Sequence, residues 1–392
     1  MSRVATGLDR VAAKDPAALR ALRGRAGLLA HPASVDSRLV HARRVLREAG
    51  VEVVALFGPE HGYGGEAQDM IEVGHARDPE GLPIYSLYGA TEEELSPRPE
   101  QLEGLDVLVV DLQDVGSRYY TFVWTAALAL KAAARAGVRT VILDRPNPLG
   151  GEVVEGAPQR PGYRSFVGLY DVAVRHGMTI GEIATMVRAL EGLDEDALTV
   201  VPMRGWSRAM RFGATGLPWV LPSPNMPTLD TALVYPGGCL IEGTSLSEGR
   251  GLTRPFEIWG APGLDGRALA ERVAIDGAVL RPLTFRPTFH KHAGRLCGGV
   301  QVHVVDPERF SPYAAYLRLI AEAALLLGDR FAWRNDPYEF VRDVPAIDLL
   351  TGGPEFRAAV EARAPLDALL SAEEEGARRF REAREAWLLY AG

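Results

Sequence analysis

A carboxylate and an imidazole stand side by side in Gly58-Pro59-Glu60-His61-Gly62, directly after the apolar run Val51 to Phe57. Glycine and proline force that turn open, and in open α/β sheets ligands bind just beyond the carboxyl ends of strands. A Glu-His pair in such a place suits proton-transfer chemistry. Two more polar clusters follow apolar runs in the same way. One is Asp111-Leu112-Gln113-Asp114-Val115-Gly116-Ser117-Arg118-Tyr119-Tyr120, and the other is Asp144-Arg145-Pro146-Asn147-Pro148-Leu149-Gly150-Gly151. A single acidic strand end is commonly a loop cap, but three in a parallel sheet would converge on one crevice. The loop-rich middle adds Pro222-Ser223-Pro224-Asn225-Met226-Pro227-Thr228 and the stretch from Glu242 to Gly251. Prolines around Asn225 pre-set one backbone shape and lower the entropy of ordering a binding loop; a rigid structural turn would read the same. Ser247-Glu248-Gly249-Arg250 is either a solvated surface loop or, through its glycines, a place where backbone approaches a ligand closely.

Other chemistries fit less well. Gly62-Tyr63-Gly64-Gly65-Glu66-Ala67 matches a dinucleotide fingerprint in letters, but that fingerprint belongs in the turn directly after the strand. Here Gly58 to His61 intervene, Glu66 would set a charge beside a pyrophosphate, and the next strand candidate runs into Ser86-Leu87-Tyr88-Gly89 without an acidic end. His61, Asp69 and His75 have no recognised metal-ligand spacing, so no metal is expected. No G-x-S-x-G nucleophile elbow occurs.

These residues need a scaffold, and the apolar patterning supplies one. Ala26 to His31, Val51 to Phe57, Pro83 to Tyr88, Leu105 to Leu112 and Val138 to Asp144 read as strands, two of them nearly continuous apolar runs suited to burial on both faces. Helical patterns separate them over 38–48, 121–136 and 179–190. Gly137 is a C-cap signal, and Thr179 with Glu182 has capping-box spacing. Strand and helix in alternation predict a doubly wound, mostly parallel α/β domain. From about Gly205 the texture changes. Proline and glycine are dense through 218–262, which reads as a long ordered loop region. After Asp265 the order helix, strand, strand, helix predicts a smaller C-terminal α+β domain. The expected division is 1–242 and 243–392.

Bulk composition bounds the rest. The 392 residues, 47% hydrophobic and 24% charged, are ordinary for a globular protein of two domains. A formal net charge of −8 with no basic block argues against nucleic acid as a partner. Lysine occurs only at 14, 131 and 291, which reads as a bias toward GC-rich codons. The first twenty residues lack a signal-peptide core and no run of about 18 apolar residues exists, so neither export nor a membrane span is expected and the expected compartment is the cytoplasm. In that compartment Cys239 and Cys297 are expected as buried free thiols.

Taken together, the motifs carry a resemblance. Gly58 to Gly62, Tyr85-Ser86-Leu87-Tyr88-Gly89, Asp111 to Gly116 with Arg118 and Tyr119, Asp144 to Pro148, Arg175 to Thr179, Pro222 to Thr228, Glu242 to Gly251 with Pro255-Phe256-Glu257, Ala346 to Gly352 and Trp387 to Tyr390 stand in the order found in NamZ-type exo-β-N-acetylmuramidases. From about Leu28 onward the chain resembles that family. The resemblance implies a Rossmann-like larger domain, a smaller C-terminal domain and an active-site cleft between them. It also implies a cofactor-independent glycoside hydrolase of cell-wall recycling. Its substrate would be a muropeptide or other MurNAc-containing sugar such as MurNAc-β-1,4-GlcNAc, cut at the non-reducing end.

Glycosidases usually pair a protonated carboxylic acid with a second group at the anomeric carbon. Glu60 matches the family's favoured catalytic residue and is expected as the acid. Asp114 and Glu248 are candidates for the second group, with His61 as an orienting partner or base. Arg118 or Arg250 is expected to clamp the lactyl carboxylate, Asn147 and Asn225 to bind hydroxyl or acetamido groups, and Tyr119 to donate a hydrogen bond or stack on a sugar. The sequence departs from the family pattern at Ser245, where Asn is usual, and at Leu252, where Thr is usual; either change bears on a sugar contact. A non-catalytic amino-sugar-binding protein, or a hydrolase of another cell-wall bond, is the alternative. The oligomeric state is not set by the sequence.

Overall fold

The computed structural model describes residues 4–68 and 70–391; Asp69, weighed above as a metal ligand, lies outside them. Among the described residues ten strands form two sheets. Seven belong to the first sheet: β1 (Arg25–Ala30), β2 (Glu52–Gly58), β3 (Ala76–Arg77), β4 (Pro83–Ser86), β5 (Val107–Asp111), β6 (Arg139–Leu143) and β7 (Leu198–Val201). Their order is β3-β4-β2-β1-β5-β6-β7. All pairs are parallel except the β3–β4 edge. Without that edge strand, the order is the doubly wound one in which the chain reverses direction across the sheet between β1 and β5.

Period-two alternation divides the strand residues between two cores. Leu28, Val107, Val109 and Val141 pack with Leu8, Val11 and Leu46 on one face, the face of α1 (Gly7–Ala12), α2 (Pro16–Ala21) and α3 (Ala42–Glu48). Leu29, Phe57, Leu108, Val110 and Ile142 point to the other face. There they meet residues of α4 (Pro99–Leu102), α5 (Phe122–Arg135) and α6 (Ile180–Leu190). Helices on both faces explain why these strands read as unbroken apolar runs. Thr179 and Glu182 make the reciprocal capping box that opens α6.

The region expected as a long loop is partly regular. It holds α7 (Leu229–Gly238), opened by the Thr228 hydroxyl and carrying Pro236 inside its last turn. Pro236 lacks an amide hydrogen, and the chain leaves the α-helix for a 3-10 turn over 239–243. The strand β8 (Ile258–Ala261) follows, then α8 (Gly266–Arg272), β9 (Ala278–Phe285), β10 (Cys297–Val304) and α9 (Pro312–Leu327), the expected helix, strand, strand, helix. The second sheet is antiparallel in the order β8-β10-β9. The chain ends in α10 (Ala346–Thr351), α11 (Glu355–Glu361) and α12 (Asp367–Ala383). The second core of the parallel sheet runs on without a break into Phe256, Trp259, Tyr316 and Leu350 of this smaller part. Cys239 and Cys297 are both buried and are not joined in a disulfide. Among the described residues no helix is long and apolar enough to cross a membrane.

Candidate active site

The turn after β2 is shaped by its glycines. A Cβ on Gly58 would collide with the backbone of Tyr63, so only glycine lets the turn fold back on itself. His61 and Gly62 both take left-handed backbone, at φ 70° and 83°. The result turns Glu60 inward, leaving it 5% exposed. The Thr121 hydroxyl, at the start of α5, donates to its Oε2 at 2.7 Å, and the Met70 amide approaches Oε1 at 3.5 Å. His61 Nδ1 lies 2.9 Å from the Ala67 carbonyl. A carbonyl only accepts, so Nδ1 carries the hydrogen and a neutral His61 keeps its lone pair on Nε2.

Glu60 and His61 line a cavity of about 450 Å³, its mouth included. Tyr119, Tyr120, Thr121 and Phe122 come to it from the β5–α5 connection. Ser223, Asn225 and Met226 come from the proline-stiffened loop, Tyr235 from α7, Glu242 from the 3-10 turn after it, and Arg250, Phe256, Tyr338 and Glu339 from the smaller part. Among the described lining residues Arg250 is the one arginine or lysine. It donates to Glu242 Oε1 at 2.6 Å and lies 5.3 Å over the Phe256 ring, while Tyr338 donates to Glu242 Oε2 at 2.8 Å. Asn225 donates to Gln68 Oε1 at 2.9 Å. The Tyr119 hydroxyl is committed to the Pro236 carbonyl at 3.2 Å, so Tyr119 offers its ring. Burial pushes the phenols of Tyr119, Tyr120 and Tyr235 well above their ordinary value, which keeps all three protonated.

Four expected residues lie elsewhere. Arg118 is fully buried and spends its guanidinium on the carbonyls of Ala157, Val172 and Leu350, at 3.0, 3.2 and 2.6 Å; it ties loops together and is outside the cavity lining. Asp114 accepts from the Gly116 amide at 2.7 Å and faces His176 Nε2 at 3.4 Å. Asn147 donates to the Met178 carbonyl at 3.0 Å and accepts from Leu149 at 2.9 Å. Glu248 is fully buried behind Arg250, with His290 Nδ1 at 2.8 Å, Lys291 Nζ at 3.0 Å and Arg250 Nε at 3.3 Å. Burial alone would raise the Glu248 carboxyl; Lys291, His290 and Arg250 overcome it and hold the group well below its ordinary value. It is an ionised brace for Arg250.

The third strand end also stays out of the cavity. Strands sit about 4.8 Å apart, so β6, three places from β2, ends roughly 14 Å away. Asp144 there accepts from Thr179, Gly181 and Tyr390 at 2.8, 2.9 and 2.5 Å, and burial raises its carboxyl to about 6. Asp111 is locked to Arg145 in a buried pair at 2.5 and 2.8 Å. Conversely, sequence reasoning gave no role to Thr121, Tyr120, Tyr235, Tyr338 or Glu339. Thr121 reads as an ordinary helix start, and Glu339 sits in an irregular stretch with no periodicity to flag it.

Residues 26–230 match the family model for the N-terminal part of the exo-beta-N-acetylmuramidase NamZ, and 233–390 match the model for its C-terminal part. The peptidoglycan beta-N-acetylmuramidase NamZ of Bacillus subtilis (strain 168) is 41% identical over 99% of this chain and 92% of its own. Two crystal structures of DUF1343 family proteins from Bacteroides fragilis NCTC 9343 are similar throughout. One has a TM-score of 0.88 at 32% identity, covering 99% of both chains; the other has 0.74 at 28%, covering 100% of this chain and 99% of its own. With both family parts matched in order over one continuous cavity, the chain belongs to the NamZ exo-beta-N-acetylmuramidase family of glycosidases.

Proposed function

We propose that the enzyme releases N-acetylmuramic acid from the non-reducing end of peptidoglycan fragments such as MurNAc-β-1,4-GlcNAc, with Glu60 as the general acid. The observation that carries this reading is the placement of a buried carboxylate and a guanidinium, Glu60 and Arg250, on the wall of one cavity. Thr121 takes Oε2 of Glu60, which leaves Oε1 to hold and deliver the proton. The C1–O4 bond breaks, that proton passes to O4 of the leaving sugar, and water adds its hydroxyl to C1. Among the described lining residues, Glu339 and the Nε2 of His61 are the acceptors suited to the proton that water gives up.

Arg250 supplies the positive charge that the lactyl carboxylate of N-acetylmuramic acid requires and that N-acetylglucosamine does not. The brace of Glu248 and the contact with Glu242 fix where that guanidinium points. Asn225 faces the same space, where it suits a hydroxyl or acetamido group. Assay of matched MurNAc and GlcNAc β-glycosides tests the reading. Free MurNAc from the first, with little or no release from the second, is expected. No release of MurNAc would reject it.

A further inference from the structure

Ten non-glycine residues among those described have left-handed backbone, and five of them line the Glu60 cavity or a second cleft beside it: His61, Met70, Phe256, Glu339 and Phe340. Such backbone is costly and persists where the surrounding structure enforces it, characteristically at ligand sites. Three of the five, Met70 (φ 56°), Glu339 (45°) and Phe340 (68°), line the second cleft, which is open to solvent and spans about 850 Å³ with the space at its mouth included.

The two spaces share a wall. Glu339 lines both. The Met70 amide approaches Oε1 of Glu60, and Met70 also lines the outer cleft. Tyr88 lines the outer cleft, donates to Glu339 Oε2 at 3.3 Å, and meets the Phe340 ring at 5.9 Å and 68°. The oxygen of Glu60 that faces this wall is the one Thr121 leaves available. A sugar held in the inner cavity with its glycosidic oxygen at Oε1 directs its leaving group toward Met70, and so into the outer cleft.

The lining suits that occupant. The half-buried Phe340 and Met70 offer apolar contact to the C–H face of a pyranose, Gly89 and Ala90 leave room beside them, and exposed Glu72 and Arg342 provide polar partners at the rim. We propose that the outer cleft seats the leaving amino sugar, the residue on the far side of the bond that is cut, with its ring on Phe340 and its continuing chain passing Glu72 and Arg342. This rests on the reading of the inner cavity as the MurNAc seat.

The test compares two substrates, MurNAc-β-1,4-GlcNAc and MurNAc β-fluoride, whose one-atom leaving group does not reach the outer cleft. Phe340→Ala removes the platform. Ala90→Trp fills the cleft from an exposed position, where folding is tolerant of the change and is checked by thermal unfolding. In both variants the ratio of kcat/KM for the disaccharide to kcat/KM for the fluoride is expected to fall about tenfold, the scale of one lost stacking contact. A ratio within about twofold of the unmodified enzyme in folded Ala90→Trp overturns the outer-cleft assignment alone. MurNAc released from neither substrate by the unmodified enzyme overturns the inner-cavity reading, and this one with it.

Discussion

Thr121 and Glu60 come from different strand ends, and one hydrogen bond joins them. With Oε2 accepting from the threonine hydroxyl, the carboxyl has one orientation, and in the proposed mechanism its other oxygen meets substrate. In that mechanism Thr121 is proposed to position the acid without doing chemistry. Thr121→Val should lower kcat on the disaccharide about tenfold with KM changed little, a loss on the scale of one hydrogen bond to a charged group, and Thr121→Ser should restore it. A rise in KM with kcat unchanged would show that Thr121 serves binding instead. At this scale the sequence marked the turn that carries Glu60 into the cavity lining, because glycine and proline flank it and an apolar strand precedes it. It misdirected Arg118, whose partners are backbone carbonyls of distant loops, an arrangement that no residue pattern displays.

Between Glu242 and His292 one segment builds a charged wall for the cavity. Glu248 holds His290, Lys291 and Arg250, and Lys291 also donates to the carbonyls of Ile241 and Glu242 at 3.1 and 3.2 Å. Removing one member of a buried ion cluster leaves its partners uncompensated. Glu248→Gln is therefore expected to lose about 3 kcal/mol of stability in urea unfolding, with weaker binding of MurNAc substrates because Arg250 keeps Glu242 but loses one of its braces. A loss below about 0.5 kcal/mol would mean the cluster is surface-like. Elements were the most legible level of the sequence. β1, β2, β4, β5, β6, α5, α6 and α9 follow the apolar periodicities closely, because burial on two faces or one imposes them. α7 escaped notice because Pro236 and the flanking glycines look like loop. The three-strand-end convergence failed at β6 because sheet order, which sequence does not display, carries that strand away from β2.

Across the whole molecule, His31 ties three regions together. It leaves β1, donates from Nδ1 to the Pro222 carbonyl at 3.1 Å and accepts from the Gln113 amide on Nε2 at 2.9 Å. Burial, at 1% exposure, lowers its imidazole from 6.5 to about 3. Between those values the unfolded chain binds a proton that the folded chain refuses, so stability falls as pH drops below 6.5. At pH 5 this costs about 2 kcal/mol. His31→Gln lacks the titrating group. Its loss of stability between pH 7 and pH 5 should be smaller than that of the unmodified enzyme by about 2 kcal/mol, read from urea unfolding at both values. Asp144, raised to about 6, acts oppositely over part of this range and cancels in the comparison, since both proteins carry it. Equal pH dependence would contradict the assignment. The Tyr390 hydroxyl on Asp144 and the core shared by the two sheets bind the smaller part to the larger one. The alternation of strands and helices pointed to the parallel sheet and the changed pattern after Asp265 to the smaller one; the cavity between them was legible only through the resemblance of their motifs.

The account stands most directly on Glu60. Release of MurNAc from MurNAc-β-1,4-GlcNAc should be measured for the unmodified enzyme and for Glu60→Gln, with folding of both checked by thermal unfolding. A neutral amide keeps the shape and the Thr121 contact but has no proton to give, so kcat should fall about 1,000-fold in a folded protein. A folded Glu60→Gln enzyme with kcat within about threefold of the unmodified one would contradict the account.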